Sequence, residues 1–177
     1  MKWKRFAMVM AGLALTVIIC GLLVPENMVI PVKGATSADW NVKTFWFRPW
    51  GKSGVHRGID IFAREGTSVI AACSGVVVFS DTLRDGGNVV AVLGPKWRVH
   101  YYAHLRSMKV AGGQFVSRGR EIGTVGSTGN AVGKPPHLHY SIITQIPYVW
   151  RYKMERFGFD RMFYLDPGKR LIGEKRS

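Results

Sequence analysis

The chain has 177 residues, with 25 lysines and arginines against 11 aspartates and glutamates and a formal charge of +14. That length holds one ordinary domain and a terminal segment, and a hydrophobic content of 47% excludes wholesale disorder. The basic excess favours an anionic surrounding. No zinc-finger, helix-turn-helix or RNA-binding aromatic signature accompanies it, so nucleic acid is not expected as a partner.

At the N-terminus, Lys2, Lys4 and Arg5 precede an uncharged, mostly apolar run from Phe6 to Val24. As a helix it spans about 28 Å, close to the hydrocarbon core of a bilayer. The positive flank comes first, which keeps the N-terminus inside and exports the rest. Residues 1–24 are therefore expected to be a transmembrane signal-anchor in the cytoplasmic membrane, with the remainder in the cell envelope outside it. The alternative is a secreted protein released by cleavage. Its first small-x-small site, Ala35-Thr36-Ser37, lies well past the apolar run. Lipid modification of Cys20 is disfavoured by the bulky Ile19 before it. Cys20 and Cys73 are read as unpaired, since one lies in the apolar run and the other in a strand-like segment.

Residues 25–44 read as a linker. Trp40, Phe45, Trp46, Phe47 and Trp50 then form an aromatic stretch in which core packing is favoured over a lid. From Gly58 the pattern is β: Gly58–Phe62, Thr67–Ala72, Gly75–Ser80, Asn88–Leu93, Arg98–His104, Glu121–Val125 and His137–Thr144 are short runs set between glycine and polar turns. Asp85-Gly86-Gly87 is a hairpin-type turn. The fold class expected is mainly β, with antiparallel sheets in a sandwich or barrel-like arrangement over residues 45–145, plus the N-terminal helix. The glycines between 112 and 129 imply tight turns. No Gly-Lys-Ser/Thr follows them, so a phosphate loop is not indicated. Residues 146–177 form a basic, aromatic extension in which Tyr148–Phe159 reads as a short helix.

The chemistry lies in the histidines. His56-Arg57-Gly58-Ile59-Asp60 and His137-Leu138-His139 combine imidazole nitrogens with a carboxylate, the ligands zinc takes at about 2 Å. On a strand His137 and His139 share one face, about 6.6 Å apart. His56 and Asp60 would be about 13 Å apart on a straight strand, so the chain must bend near Arg57-Gly58, with Gly58 permitting it. In Tyr101-Tyr102-Ala103-His104-Leu105, simple alternation turns Ala103 and Leu105 to the core and Tyr102 and His104 away from it. No H-E-x-x-H helix is present, so thermolysin-like chemistry is not indicated.

These motifs carry a resemblance. His56-Arg57-Gly58-Ile59-Asp60-Ile61, Gly66-Thr67, Val69-Ile70-Ala71-Ala72 and Gly75-Val76-Val77 are followed by Tyr102-Ala103-His104-Leu105, Gly119 with Ile122-Gly123, Gly126-Ser127-Thr128-Gly129 and His137-Leu138-His139-Tyr140. In this order, from about residue 50 to 144, the chain resembles the lysostaphin-type, or LytM-domain, zinc metalloendopeptidases of peptidoglycan. The resemblance implies a β-rich fold with a groove over one sheet. It implies that His56, Asp60 and His139 are ligands to Zn2+, and that His104 and His137 are the two catalytic histidines. It also implies hydrolysis of the peptide cross-links of peptidoglycan stem peptides by a metal-activated water. His100 has no match among the catalytic positions. The alternative function is a non-catalytic envelope protein that binds wall or activates another hydrolase, and the intact five residues weigh against it. Both D-Ala–diaminopimelate links and glycine bridges fit the motifs. The former is expected, because nothing resembles a module for glycine-rich walls.

Overall fold

The structure is a computed structural model, and it describes residues 2–173. The apolar run forms helix α1 (Lys2–Leu23), none of whose residues is buried by the rest of the chain. It is long and apolar enough to cross a membrane. Pro25 follows, and the helix does not pass it. Carbonyls in its last turns lack helical partners. Lys96 Nζ donates to one of them, Leu22 O, at 2.8 Å, and Trp97 Nε1 donates to Ile18 O, one turn earlier, at 2.9 Å.

The β-branched runs form nine strands: β1 (Ile59–Phe62), β2 (Ser68–Ile70), β3 (Gly75–Leu83), β4 (Gly87–Gly94), β5 (Arg98–Met108), β6 (Phe115–Val116), β7 (Glu121–Val125), β8 (His137–Thr144) and β9 (Tyr164–Leu165). Every pairing is antiparallel. The main path runs β1-β8-β5-β4-β3-β6, with β7 joining β2 to β5 and β9 on β8. The architecture is mainly antiparallel β with one N-terminal apolar helix, as expected, but the sheet does not close into a barrel. Strands β3 and β5 run on past the residues expected of them. Tyr102, Tyr140, Ile59, Ile61, Leu105, Ile122, Leu138 and Ile142 are fully buried between the layers. Each large aliphatic side chain among them contributes roughly 1.5–3 kcal/mol through burial.

Residues 25–44, read as a linker, lie against the domain. Ile70 N donates to Pro31 O and Lys33 N to Ser68 O, so residues 31–33 run as a ribbon along β2. Val32 bridges Val69, and both Val32 and Trp40 are in the core. Just before this ribbon Glu26 is buried in a charged cluster. Its carboxylate accepts from Arg98 Nη1 and, at 3.3 Å, from Arg170 Nη1, and His100 Nε2 lies 3.4 Å away. Burial raises the Glu26 pKa, but the His100 contact and the Arg98 charge outweigh it and hold the carboxyl below its ordinary value. His100 Nδ1 lies 2.7 Å from the Tyr140 hydroxyl, so His100 belongs to this cluster and lies outside the groove described below.

The short helix expected over Tyr148–Phe159 does not form. Only Val149–Arg151 makes a single 3-10 turn there, and Asp160–Met162 makes another. The cause lies at Phe157-Gly158. Phe157 has φ +66°, and a Cβ on Gly158 would overlap Lys153 O, so the chain folds back on itself there. Helix α2 (Pro167–Leu171) closes the described chain, and Asp166 Oδ1 accepts from Lys169 N at its start.

Candidate metal centre and groove

Strands β1, β8 and β5 lie side by side, and their register builds the site. Asp60 is opposite His139, and Ala103 is opposite His139 on the other side. His56 comes from the segment just before β1, which the chain can bring close only because position 58 has no side chain. A Cβ at Gly58 would lie 2.5 Å from Tyr140 O and 2.9 Å from His139 Cε1. Gly58 is thus needed for close approach; its φ is not in the left-handed region.

Three donor atoms converge. His56 Nε2 is 3.1 Å from Asp60 Oδ1 and 3.1 Å from His139 Nδ1, and His139 Nδ1 is 2.8 Å from Asp60 Oδ1. The outward nitrogens have their own partners. His56 Nδ1–H donates to Thr44 O at 3.1 Å, and His139 Nε2 lies 3.1 Å from Ser141 Oγ. The other nitrogen of each ring faces inward, where a carboxylate oxygen also points. Three donor atoms this close can hold one metal ion between them. Ligands of a tetrahedral ion at about 2 Å sit about 3.3 Å apart, close to the spacing found. Thr44 and Ser141 supply the outer hydrogen bonds that fix such ligands. Burial raises the Asp60 pKa, but His139 and His56 outweigh it and hold the carboxyl well below its usual range. Burial, opposed by Asp60, lowers the pKa of His139. Trp50 stacks on the His56 ring at 4.0 Å.

His104 reaches the same space by an irregularity. Asn88 pairs with Leu105 and Val90 with Tyr102, so three steps on β5 match two on β4. This is a β-bulge, and His104 within it has φ +64°. The expected alternation is overturned here. Tyr102 and Leu105 are both in the core, while Ala103 and His104 both line the groove. A non-glycine residue in this conformation costs about 1–2 kcal/mol, offset in part by His104 N donating to Gly86 O at 2.8 Å. At the bulge β5 leaves β8 and takes β7 as its neighbour, with Leu105 opposite Val125.

His104 Nδ1–H donates to Thr128 O at 2.9 Å and His137 Nδ1–H to Pro135 O at 2.8 Å, so in each ring Nε2 is the nitrogen left for the groove. Their centroids are 5.1 Å apart, and His104 is 5.9 Å from His139. Burial, with the neighbouring histidines His139 and His137, lowers the His104 pKa to about 4.

All five residues singled out in the sequence line one groove of about 840 Å³. Sequence reasoning missed several of its other walls. Trp50, expected in the core, lines it, whereas Trp40 and Trp46 are buried as expected. Tyr101 lines it too, with a hydroxyl that burial pushes up to about 12, so it stays protonated. Tyr164 joins from the C-terminal extension. Tyr101 shares strand parity with Ala103, which simple alternation turned to the core, so it was missed along with it. Thr44, Trp50 and Tyr164 come from outside the strand pattern and left no local signal.

Residues 54–149, more than half of the chain, match the model of peptidase family M23. The chain belongs to peptidase family M23. Among M23 relatives it is 37% identical over 113 residues to the L-Ala--D-Glu endopeptidase of Bacillus subtilis (strain 168), covering 59% of this chain and 35% of that protein. To the peptidoglycan DD-endopeptidase ShyC of Vibrio cholerae it is 39% identical over 93 residues, covering 52% of this chain and 21% of that protein. The chain thus spans about a third or less of the length of these relatives. The catalytic domain of the antimicrobial peptidase lysostaphin from Staphylococcus simulans superposes with a TM-score of 0.60 at 28% identity, covering 73% of this chain and 90% of that one.

Proposed function

We propose that the protein is a zinc-dependent endopeptidase that hydrolyses peptide cross-links of bacterial peptidoglycan, held at the cytoplasmic membrane by α1 with its groove outside. The observation that carries this is the convergence of His56 Nε2, Asp60 Oδ1 and His139 Nδ1 beside two further histidines in one groove. His56, Asp60 and His139 would hold the metal. A zinc ion there would supply a Lewis acid for the scissile carbonyl and acidify water. His104 and His137 perform the proton work: a neutral imidazole takes the proton of the attacking water and returns it to the leaving amine, and an imidazole protonated at Nε2 donates to the developing oxyanion. Membership of family M23 and relatives named as peptidoglycan endopeptidases support the substrate class.

The ribbon along β2 favours an uncleaved anchor. Cleavage near Ala35 would remove Glu26 from the buried Arg98 and Val32 from the core. The test is digestion of purified peptidoglycan by the full chain in detergent, with products identified by mass. Cleaved D-Ala–diaminopimelate cross-links are expected. Intact wall after incubation with metal-loaded protein would refute the enzymatic reading.

A further inference from the structure

The C-terminal extension carries an exposed apolar surface that the groove does not use. Val149, Trp150, Tyr152 and Met154 are 64%, 76%, 52% and 94% exposed, a density that stands out on a folded domain. Lys153 and Arg156 are exposed among them. The acid in this segment, Glu155, is paired with Arg48 and Arg161, so it does not cancel that charge.

This segment starts beside the end of α1. Gln145 N donates to Trp97 O, and the same Trp97 donates its indole N–H to Ile18 in α1. Arg98, the next residue, donates to the Tyr148 hydroxyl at 2.6 Å, and Tyr148 stacks on Trp150 at 5.0 Å. The apolar helix, the turn at residues 95–97 and the exposed segment are therefore continuous. Ile18 lies about 9 Å along the helix from Val24, so the domain meets α1 just inside the outer end of the apolar run, a depth that interfacial segments reach.

We infer that residues 149–156 insert into the lipid surface beside α1 as a second, interfacial membrane contact. Trp and Tyr favour the headgroup level because one end of each ring is apolar and the other polar. Lys153 and Arg156 match anionic headgroups. The far end of the segment is tied to the groove: Arg57 donates to Asp160 at 2.5 Å and sits 5.1 Å over Phe157, and Tyr164 lines the groove wall. Two contacts with lipid, one at each end of this connection, hold the groove in a set orientation just above the membrane. The peptidase then works on wall strands within reach of the lipid surface.

This inference rests on α1 spanning the membrane, and the test separates the two. The full chain is placed in nanodiscs containing phosphatidylglycerol and labelled with an environment-sensitive fluorophore. Cys20, exposed on α1, takes the label directly, whereas Cys73 is buried. A C20S/M154C variant reports the segment, and C20S/F115C reports an exposed site on β6, at the edge of the sheet opposite β1. Brominated acyl chains are expected to quench Cys20 and position 154 but not 115, and iodide to quench 115 alone. Further exchange of Lys153 and Arg156 for Glu should abolish lipid quenching at 154 and leave Cys20 unchanged. Lipid quenching at Cys20 with position 154 behaving like 115 overturns the inference and spares the anchor. Position 154 shielded from iodide without lipid quenching marks a protein contact and also overturns it. Absence of lipid quenching at Cys20 overturns the anchor, and the inference with it.

Discussion

Replacing Glu26 is predicted to destabilise the whole domain, although the residue is far from the groove motifs in sequence. Its carboxylate is 5% exposed and faces Arg98, which is 4% exposed. Arg170 and His100 complete the cluster. Glu26→Ala leaves the Arg98 guanidinium buried without its counter-charge, and breaking a buried pair in this way costs about 3–5 kcal/mol. For a chain of this size each kcal/mol shifts Tm by roughly 2–4 °C, so a fall of roughly 6–20 °C is expected. Glu26→Gln keeps the shape and loses the charge, and it should fall in the same direction. Adding Arg98→Met to Glu26→Gln should recover part of the loss, because the stranded charge is then gone. The pH dependence has a definite sign. The folded carboxyl titrates below its ordinary value, so its contribution is complete above about pH 4.5 and is lost as pH falls through the depressed folded pKa. The difference between wild type and Glu26→Gln should therefore be constant from neutral pH to about pH 5 and shrink below that. Scanning calorimetry or circular dichroism melts of the detergent-solubilised chain measure it. A Glu26→Ala variant that melts within 2 °C of wild type would show that the cluster does not hold residues 25–33 to the domain. That result would also remove the structural argument against cleavage near Ala35.

The other predictions concern the groove. Purified protein should carry about one zinc per chain, and His139→Ala should lose most of it by metal analysis, because two of three donors do not close a site. His104→Ala and His137→Ala should each retain zinc and lose at least about two orders of magnitude in turnover on purified wall; near-normal activity in either would remove that residue from the mechanism. Gly58→Ala should cost about 1–3 kcal/mol by overpacking and weaken zinc binding, since the new methyl would press on Tyr140 O and His139. Unchanged zinc affinity and stability there would refute the close-approach argument.

Local sequence determined the parts of this protein that local physics controls. The apolar run with its basic flank is a helix because nothing in it breaks one, and α1 spans Lys2–Leu23. Most strands are legible because β-branched runs between glycine turns favour a pleat. His137 and His139 share a face for the same reason, as period-two alternation requires. Only the tertiary structure decided the rest. The sense of His104 depends on a bulge whose extra residue is defined by the register with β4, which no alternation along β5 reveals. His56 reaches Asp60 and His139 because β8 backbone passes where a side chain at position 58 would stand. The ribbon at residues 31–33 and the buried Glu26 look like linker because their partners, Val69, Arg98 and Arg170, lie dozens of residues away. Residues 148–159 read as helix by composition, yet they fold back at Phe157-Gly158 because their contacts to Arg48 and Arg57 outweigh an isolated helix of about three turns.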